Sequence, residues 1–166
     1  MTDPFQPYTL AGVPLRDRFV RSATVSPYAA EGVVGRTGIE RYRTLARERV
    51  GLIITEMVYI SPDGQASRTQ AGLWDESCIA HHKEIVEAVH EEGGKVFVQL
   101  NHGGAASLCE EPLSPSGVTS PYTGRPAKVM AEAAMARVAR DFAAAAARAE
   151  AAGYDGIQIH CAHGYL

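Results

Sequence analysis

No apolar run in the chain approaches the roughly 20 residues that a membrane-spanning helix needs, so no such segment is expected. The opening residues, MTDPFQPYTL, lack the basic and apolar regions of a signal peptide, which points to a cytoplasmic protein. Cysteine is scarce. Cys78, Cys109 and Cys161 are odd in number and free of CxxC spacing, which argues against a disulfide framework, a structural zinc or an iron–sulfur site. Charge of one sign is missing as well. The net charge of −3 arises from interspersed acids and bases, which disfavours nucleic acid and anionic membrane as partners. Neither GxGxxG nor GxxxxGK[ST] follows any apolar run, so the usual sequence signs of a dinucleotide or P-loop site are absent.

What is present is ordinary globular material: 46% hydrophobic and 21% charged residues over 166 positions can bury a core. Four short apolar runs read as buried strands, at residues 18–23 (RFVRSA), 51–56 (GLIITE), 95–100 (KVFVQL) and 156–160 (GIQIH). Helical patterns fill the gaps. Thr37 and Glu40 have the spacing of a capping box ahead of Ile39, Tyr42, Leu45 and Ala46. A second helix begins near residues 75–77, aligns Ile79, Ile85, Val86 and Val89, and stops at Gly93. A third, over about residues 131–152, sets Met135, Val138, Phe142, Ala145 and Ala149 on one side and ends at Gly153. The Pro, Ser and Gly-rich stretch 107–126 reads as a long loop.

Strand then helix, repeated, is the pattern of right-handed βαβ units and hence of a parallel sheet; an open doubly wound sheet and a barrel both fit. Long loops after the strands suit the catalytic face of a barrel. A closed (β/α)₈ barrel has eight strands in typically ~250 residues, and four are present here, so two open edges and association of the chain are expected.

The densest polar group is HCAHGYL, residues 160–166, where the fourth strand gives way to its loop. Two imidazoles three residues apart can both donate to one carbonyl or nitro oxygen, and a neutral phenol at Tyr165 can supply a proton to a nearby carbon. A satisfied core histidine fits the spacing too. So does zinc, if His102 or Glu56 completes a ligand set with His160 and His163, which would make a metal-dependent hydrolase. Gln99 ends the third strand with an amide that suits a heterocycle edge or merely caps a strand end. Ser22, Ala23 and Thr24 are small enough for a flat ring to lie close, and Met57 can line an apolar pocket or fill core. Asn101 and His102 fall on the same side without an assigned task.

DRFVRSAT (17–24), YRTLARERVGLIITE (42–56), KVFVQLNHGG (95–104), LSPS (113–116) and AAGYDGIQIHCAHGYL (151–166) together resemble the old yellow enzyme family of FMN-dependent ene-reductases, in its 2-enoate and 2,4-dienoyl-CoA reductase-like branch. The stretches keep the family's order and spacing along the whole chain. The resemblance implies a single unit over residues 1–166, the first half of a (β/α)₈ barrel. It implies FMN as cofactor, NADH or NADPH as reductant and an activated alkene as substrate. By it, Ser22, Ala23, Thr24 and Met57 surround the flavin ring, Gln99 bonds the pyrimidine edge, His160 and His163 hold the substrate oxygen, and Tyr165 donates the proton. Ala23-Thr24 stands where many members have Pro-Met, and Ala105 where they have arginine. The family's phosphate-binding loops follow its seventh and eighth strands, and a further flavin-contacting arginine also lies beyond residue 166. A non-catalytic half-barrel that pairs with itself or with a separate second half is the competing expectation.

Overall fold

The structure is a computed structural model that describes residues 3–166; the first two residues of the expected unit lie outside it. Four strands form one parallel sheet: β1 (Val20–Arg21), β2 (Leu52–Tyr59), β3 (Val96–Asn101) and β4 (Gly156–Ile159), side by side in chain order. Between them run α1 (Arg36–Arg47), α2 (Ile79–His90) and α3 (Glu132–Ala152). Consecutive parallel neighbours joined by helices are the repeating unit of a (β/α)₈ barrel, and this sheet forms one half of that cylinder.

Side chains alternate across the sheet and so divide the core in two. Ile53, Val96, Val98 and Leu100 face the helices, where they meet Tyr42 and Ala46 of α1, Ile85, Val86 and Val89 of α2, and Ala145 and Ala149 of α3. Ala145 and Ala149 are fully buried, so their small side chains let α3 lie close to the strands. On the opposite, concave face Leu52, Ile54 and Phe97 pack against Leu15, Leu10 and Val13. These last three belong to an antiparallel hairpin, Tyr8–Leu10 with Val13–Leu15, that closes the end of the sheet where the strands begin.

Several expected boundaries shift. The first strand pairs only over Val20–Arg21; Val20 opposes Leu52 and Arg21 opposes Ile53. The capping box at Thr37 and Glu40 is not formed. A short hairpin, Ala29–Ala30 with Val33–Val34, starts α1 earlier, so Gly35 is the cap and both residues lie inside the helix. Asp75 caps a 3₁₀ turn, Glu76–Cys78, that precedes α2. Met135 is 45% exposed and does not join the buried stripe of α3, which sits one turn further on at Val138. Leu113–Ser114, in the long loop, pairs with Lys128–Val129 just after it.

One irregularity sets up the site. The pairing of β2 with β3 is in register at Ile54–Phe97 and again at Met57–Gln99, so Thr55 and Glu56 together oppose one residue, Val98. Such a bulge reverses which face each following side chain takes. Met57 thereby joins Leu52 and Ile54 on the concave side, level with Gln99, and Glu56 turns toward the helices.

Candidate active site

The carboxyl ends of β2, β3 and β4, together with the segment after β1, surround one cavity of about 400 Å³. Ala23, Thr24, Met57, Gln99, His160, His163 and Tyr165 all line it, so seven of the eight residues expected from sequence are brought together. Ser22 is the exception. It is exposed and outside the lining, and its carbonyl accepts a hydrogen bond from Thr24 Oγ1 at 3.1 Å.

The floor is set by sheet register. Gln99 opposes Met57 on one side and Gln158 on the other. Its Nε2 donates to Gln158 Oε1 at 2.6 Å. That bond leaves Gln99 Oε1 as an acceptor and Gln158 Nε2 as a donor side by side, a pattern complementary to a ring edge carrying an N–H next to a carbonyl. Beside them Met57 is apolar and Ala23 small, which leaves room for a flat ring. Sequence reasoning missed Gln158, although its signal was available: it stands two residues before His160, hence on the same face of the strand.

The wall is the turn after β4. His160 is buried, and its backbone N–H donates to Leu100 O at 2.9 Å, which extends the sheet by one bond. Its Nδ1 accepts from the Ala162 N–H at 3.4 Å, so the neutral ring carries its proton on Nε2 and points it at His163 Nδ1, 3.3 Å away. Burial, reinforced by the neighbouring His163, holds the His160 imidazole below its ordinary pKa. His163 itself sits at φ +59°, a left-handed bend that turns its ring back over the strand end. The Tyr165 ring meets His160 edge-on with centroids 5.1 Å apart. Burial first, and then Tyr122, raise the Tyr165 phenol, so it holds its proton at neutral pH. Its ring stacks on Tyr122, which reaches in from the 107–126 loop and also lines the cavity.

The two residues weighed as a third zinc ligand stand elsewhere. Glu56 is buried behind the sheet, where its Oε2 accepts from Ser26 Oγ at 2.6 Å and Tyr42 OH at 2.7 Å. His102 is buried beside Asp63 and accepts the Gly104 N–H at its Nδ1. Among the described residues no cluster of three or more His, Cys, Asp or Glu side chains could hold a metal ion, and no helix is long and apolar enough to cross a membrane.

A half-cylinder of parallel strands with an amide pair, two imidazoles and a phenol at its carboxyl ends defines a class: α/β-barrel proteins whose site is built on βα loops. Residues 3–166 match the NADH:flavin oxidoreductase / NADH oxidase family, and the chain belongs to it. NADPH dehydrogenase of Halalkalibacterium halodurans is 34% identical over 98% of this chain and 48% of its own length. The enzyme of the same name from Geobacillus thermodenitrificans is 35% identical over the same shares. Among solved structures, the old yellow enzyme homologue from Zymomonas mobilis superposes with a TM-score of 0.90 at 29% identity, covering 99% of this chain and 50% of that one. Morphinone reductase in complex with tetrahydroNAD gives a TM-score of 0.92 at 26% identity, covering 100% and 51%. The chain thus spans about half the length of the relatives it matches.

Proposed function

We propose that the chain contributes the substrate-binding and flavin-facing half of an FMN-dependent oxidoreductase that reduces an activated carbon–carbon double bond with NADH or NADPH. The observation that carries this reading is the meeting of Gln99, His160, His163 and Tyr165 on one cavity at the strand ends. The residues fit the cofactor: the free acceptor and donor of the Gln99–Gln158 pair suit the pyrimidine edge of an isoalloxazine, and Met57, Ala23 and Thr24 suit its flat faces. Bound there, the reduced flavin supplies a hydride equivalent taken from the nicotinamide. Ser22 stands outside the cavity lining, so in this reading it acts at most through its backbone.

The chain's own groups do the rest. His160 and His163 hold the carbonyl or nitro oxygen of the substrate, which draws electron density from the β-carbon and stabilises the charge that builds on the oxygen. At present His160 Nε2–H donates to His163 Nδ1, so the oxygen takes the His160 donor by replacing that long contact, while the His163 donor is the N–H on its Nε2. Tyr165 keeps its proton on the phenol oxygen and delivers it to the α-carbon as the β-carbon accepts hydride. We place the unit, residues 1–166, in the cytoplasm, with a small-molecule alkene as its partner and neither nucleic acid nor membrane.

The test is anaerobic oxidation of NADPH by the FMN-supplemented chain with and without 2-cyclohexenone. Alkene-dependent oxidation is expected, and Tyr165→Phe should slow that step about 10²- to 10⁴-fold while leaving flavin reduction intact. Equal loss of both half-reactions would remove Tyr165 from its role. A second reading, a half-barrel without activity that works by association, is favoured by the exposure of Ile157 (41%) and Ile159 (53%) on the edge strand β4. Absence of any flavin binding by the chain would leave that reading standing.

A further inference from the structure

One aromatic ring at the cavity mouth is unexplained by packing. Tyr122 is 64% exposed, yet the turn that carries it is braced from several sides. Ser120 is buried, and its Oγ accepts from the backbone N–H of Tyr122 at 3.2 Å and of Thr123 at 3.4 Å. The Gly124 N–H closes the turn on Ser120 O at 2.9 Å, and the Ser120 N–H reaches Arg125 O at 3.2 Å. Gly124 takes φ +66°, which a glycine adopts without strain. The Arg125 guanidinium then anchors the turn to Cys109 O and Glu110 O, each at 2.7 Å.

Fixing a solvent-exposed ring costs side-chain entropy and returns little unless the ring meets something flat and apolar. What it meets now is Tyr165, with centroids 6.2 Å apart and planes 18° from parallel. The cavity floor lies below, at Met57 and Gln99, so a planar molecule entering between floor and turn is covered by the Tyr122 ring.

We propose that Tyr122 is a specificity-determining and positioning residue: its ring forms the upper face of the substrate site, favours alkenes conjugated to an aromatic ring, and holds the Tyr165 phenol in place. This rests on the reading of the site as an ene-reductase. The preferred substrate class is therefore an aryl-conjugated α,β-unsaturated carbonyl compound. A stacked pair contributes modestly, so the discrimination is modest: about two- to tenfold in affinity relative to the same enal without its ring. Tyr122 stacks on Tyr165, and the other titratable groups on this wall are His160, Cys161 and His163. Removal of Tyr122 should bring the Tyr165 phenol back down toward the ordinary tyrosine range.

The experiment is a ¹³C-tyrosine NMR titration of the full chain with FMN present, in the wild type, Tyr122→Ala and Tyr122→Phe. The probes are cinnamaldehyde and crotonaldehyde. Tyr122→Ala is expected to weaken cinnamaldehyde about two- to tenfold, to affect crotonaldehyde less, and to lower the alkaline titration of the Tyr165 signal. Tyr122→Phe keeps the ring and should preserve the preference for cinnamaldehyde. Equal weakening of both aldehydes, or no weakening together with an unmoved Tyr165 titration, would overturn the proposal. Flavin absorbance in the same samples reports FMN binding separately, so a failure of the flavin reading is seen on its own. The ring-to-ring coupling is still decided by the Tyr165 titration in that case.

Discussion

His82 shows how a histidine can be structural and still shape behaviour. Its ring is fully buried between α2 and the start of β4, with Nε2 on Gly72 O at 3.1 Å and Nδ1 on Tyr154 OH at 2.8 Å. The carbonyl can only accept, so Nε2 carries the proton and Nδ1 accepts from the phenol. Burial is the largest cause that lowers the pKa to about 4, against an ordinary 6.5. The unfolded chain therefore binds this proton more readily than the folded one, and stability is lost as pH falls from about 6.5 toward 4. The difference amounts to on the order of 3 kcal/mol. Urea unfolding at pH 7 and pH 4.5 should show a marked drop in the wild type and a flatter profile in His82→Gln; parallel profiles would contradict the assignment. The sequence set His160 apart by its place at a strand end three residues before His163, and gave His82, beside His81, Lys83 and Glu84, no role. The fold adds the reason: a carbonyl and a phenol satisfy His82, and an open cavity faces His160.

At the scale of elements, the apolar runs of β2 and β3 were legible because both strands are buried and leave almost no choice of side chain, whereas β1 and β4, expected to be buried too, are largely exposed as the sheet's outer strands. The bulge at Thr55 and Glu56 was not legible. Hydrophobic periodicity does not say which residue is the extra one, and both faces of β2 are covered, so a shift in register leaves no mark in the pattern. Met57 was nevertheless foreseen beside the flavin through the family resemblance, while Gln158 was not singled out. The glycine after α3 was readable for a physical reason. Gly153 ends the helix at φ +92°, where its N–H meets Glu150 O at 2.9 Å, and a side chain there is strained by backbone conformation rather than by crowding, since Val86 Cγ1 stands 3.4 Å from an added Cβ. Gly153→Ala should cost about 1–2 kcal/mol in chemical denaturation with an unchanged m-value. A neutral substitution would mean the helix end readily relaxes. The N-terminus of α1 escaped sequence reasoning because its start is dictated by the Ala29–Val34 hairpin, not by a capping side chain.

Across the whole molecule, the sheet has two edges, and both expose apolar side chains: Val20 at 47% on β1, and Ile157 and Ile159 on β4. Unpaired strand edges with apolar residues promote pairing with further strands. Light scattering over a concentration series should show the 166-residue chain associating, and Ile157→Lys should reduce this; a monodisperse monomer throughout would contradict it. The half-cylinder also explains why the site could be foreseen. Residues scattered from 23 to 165 converge because parallel strands all present their carboxyl ends on one side, a property of the topology that any correct strand assignment carries with it. The central claim is that a flavin ring rests against Gln99 at those strand ends. Fluorescence titration of FMN into the purified chain tests it most directly, with Gln99→Leu alongside. Saturable quenching in the wild type, weakened about tenfold by the substitution, is predicted; no quenching, or the same affinity in both proteins, would contradict it.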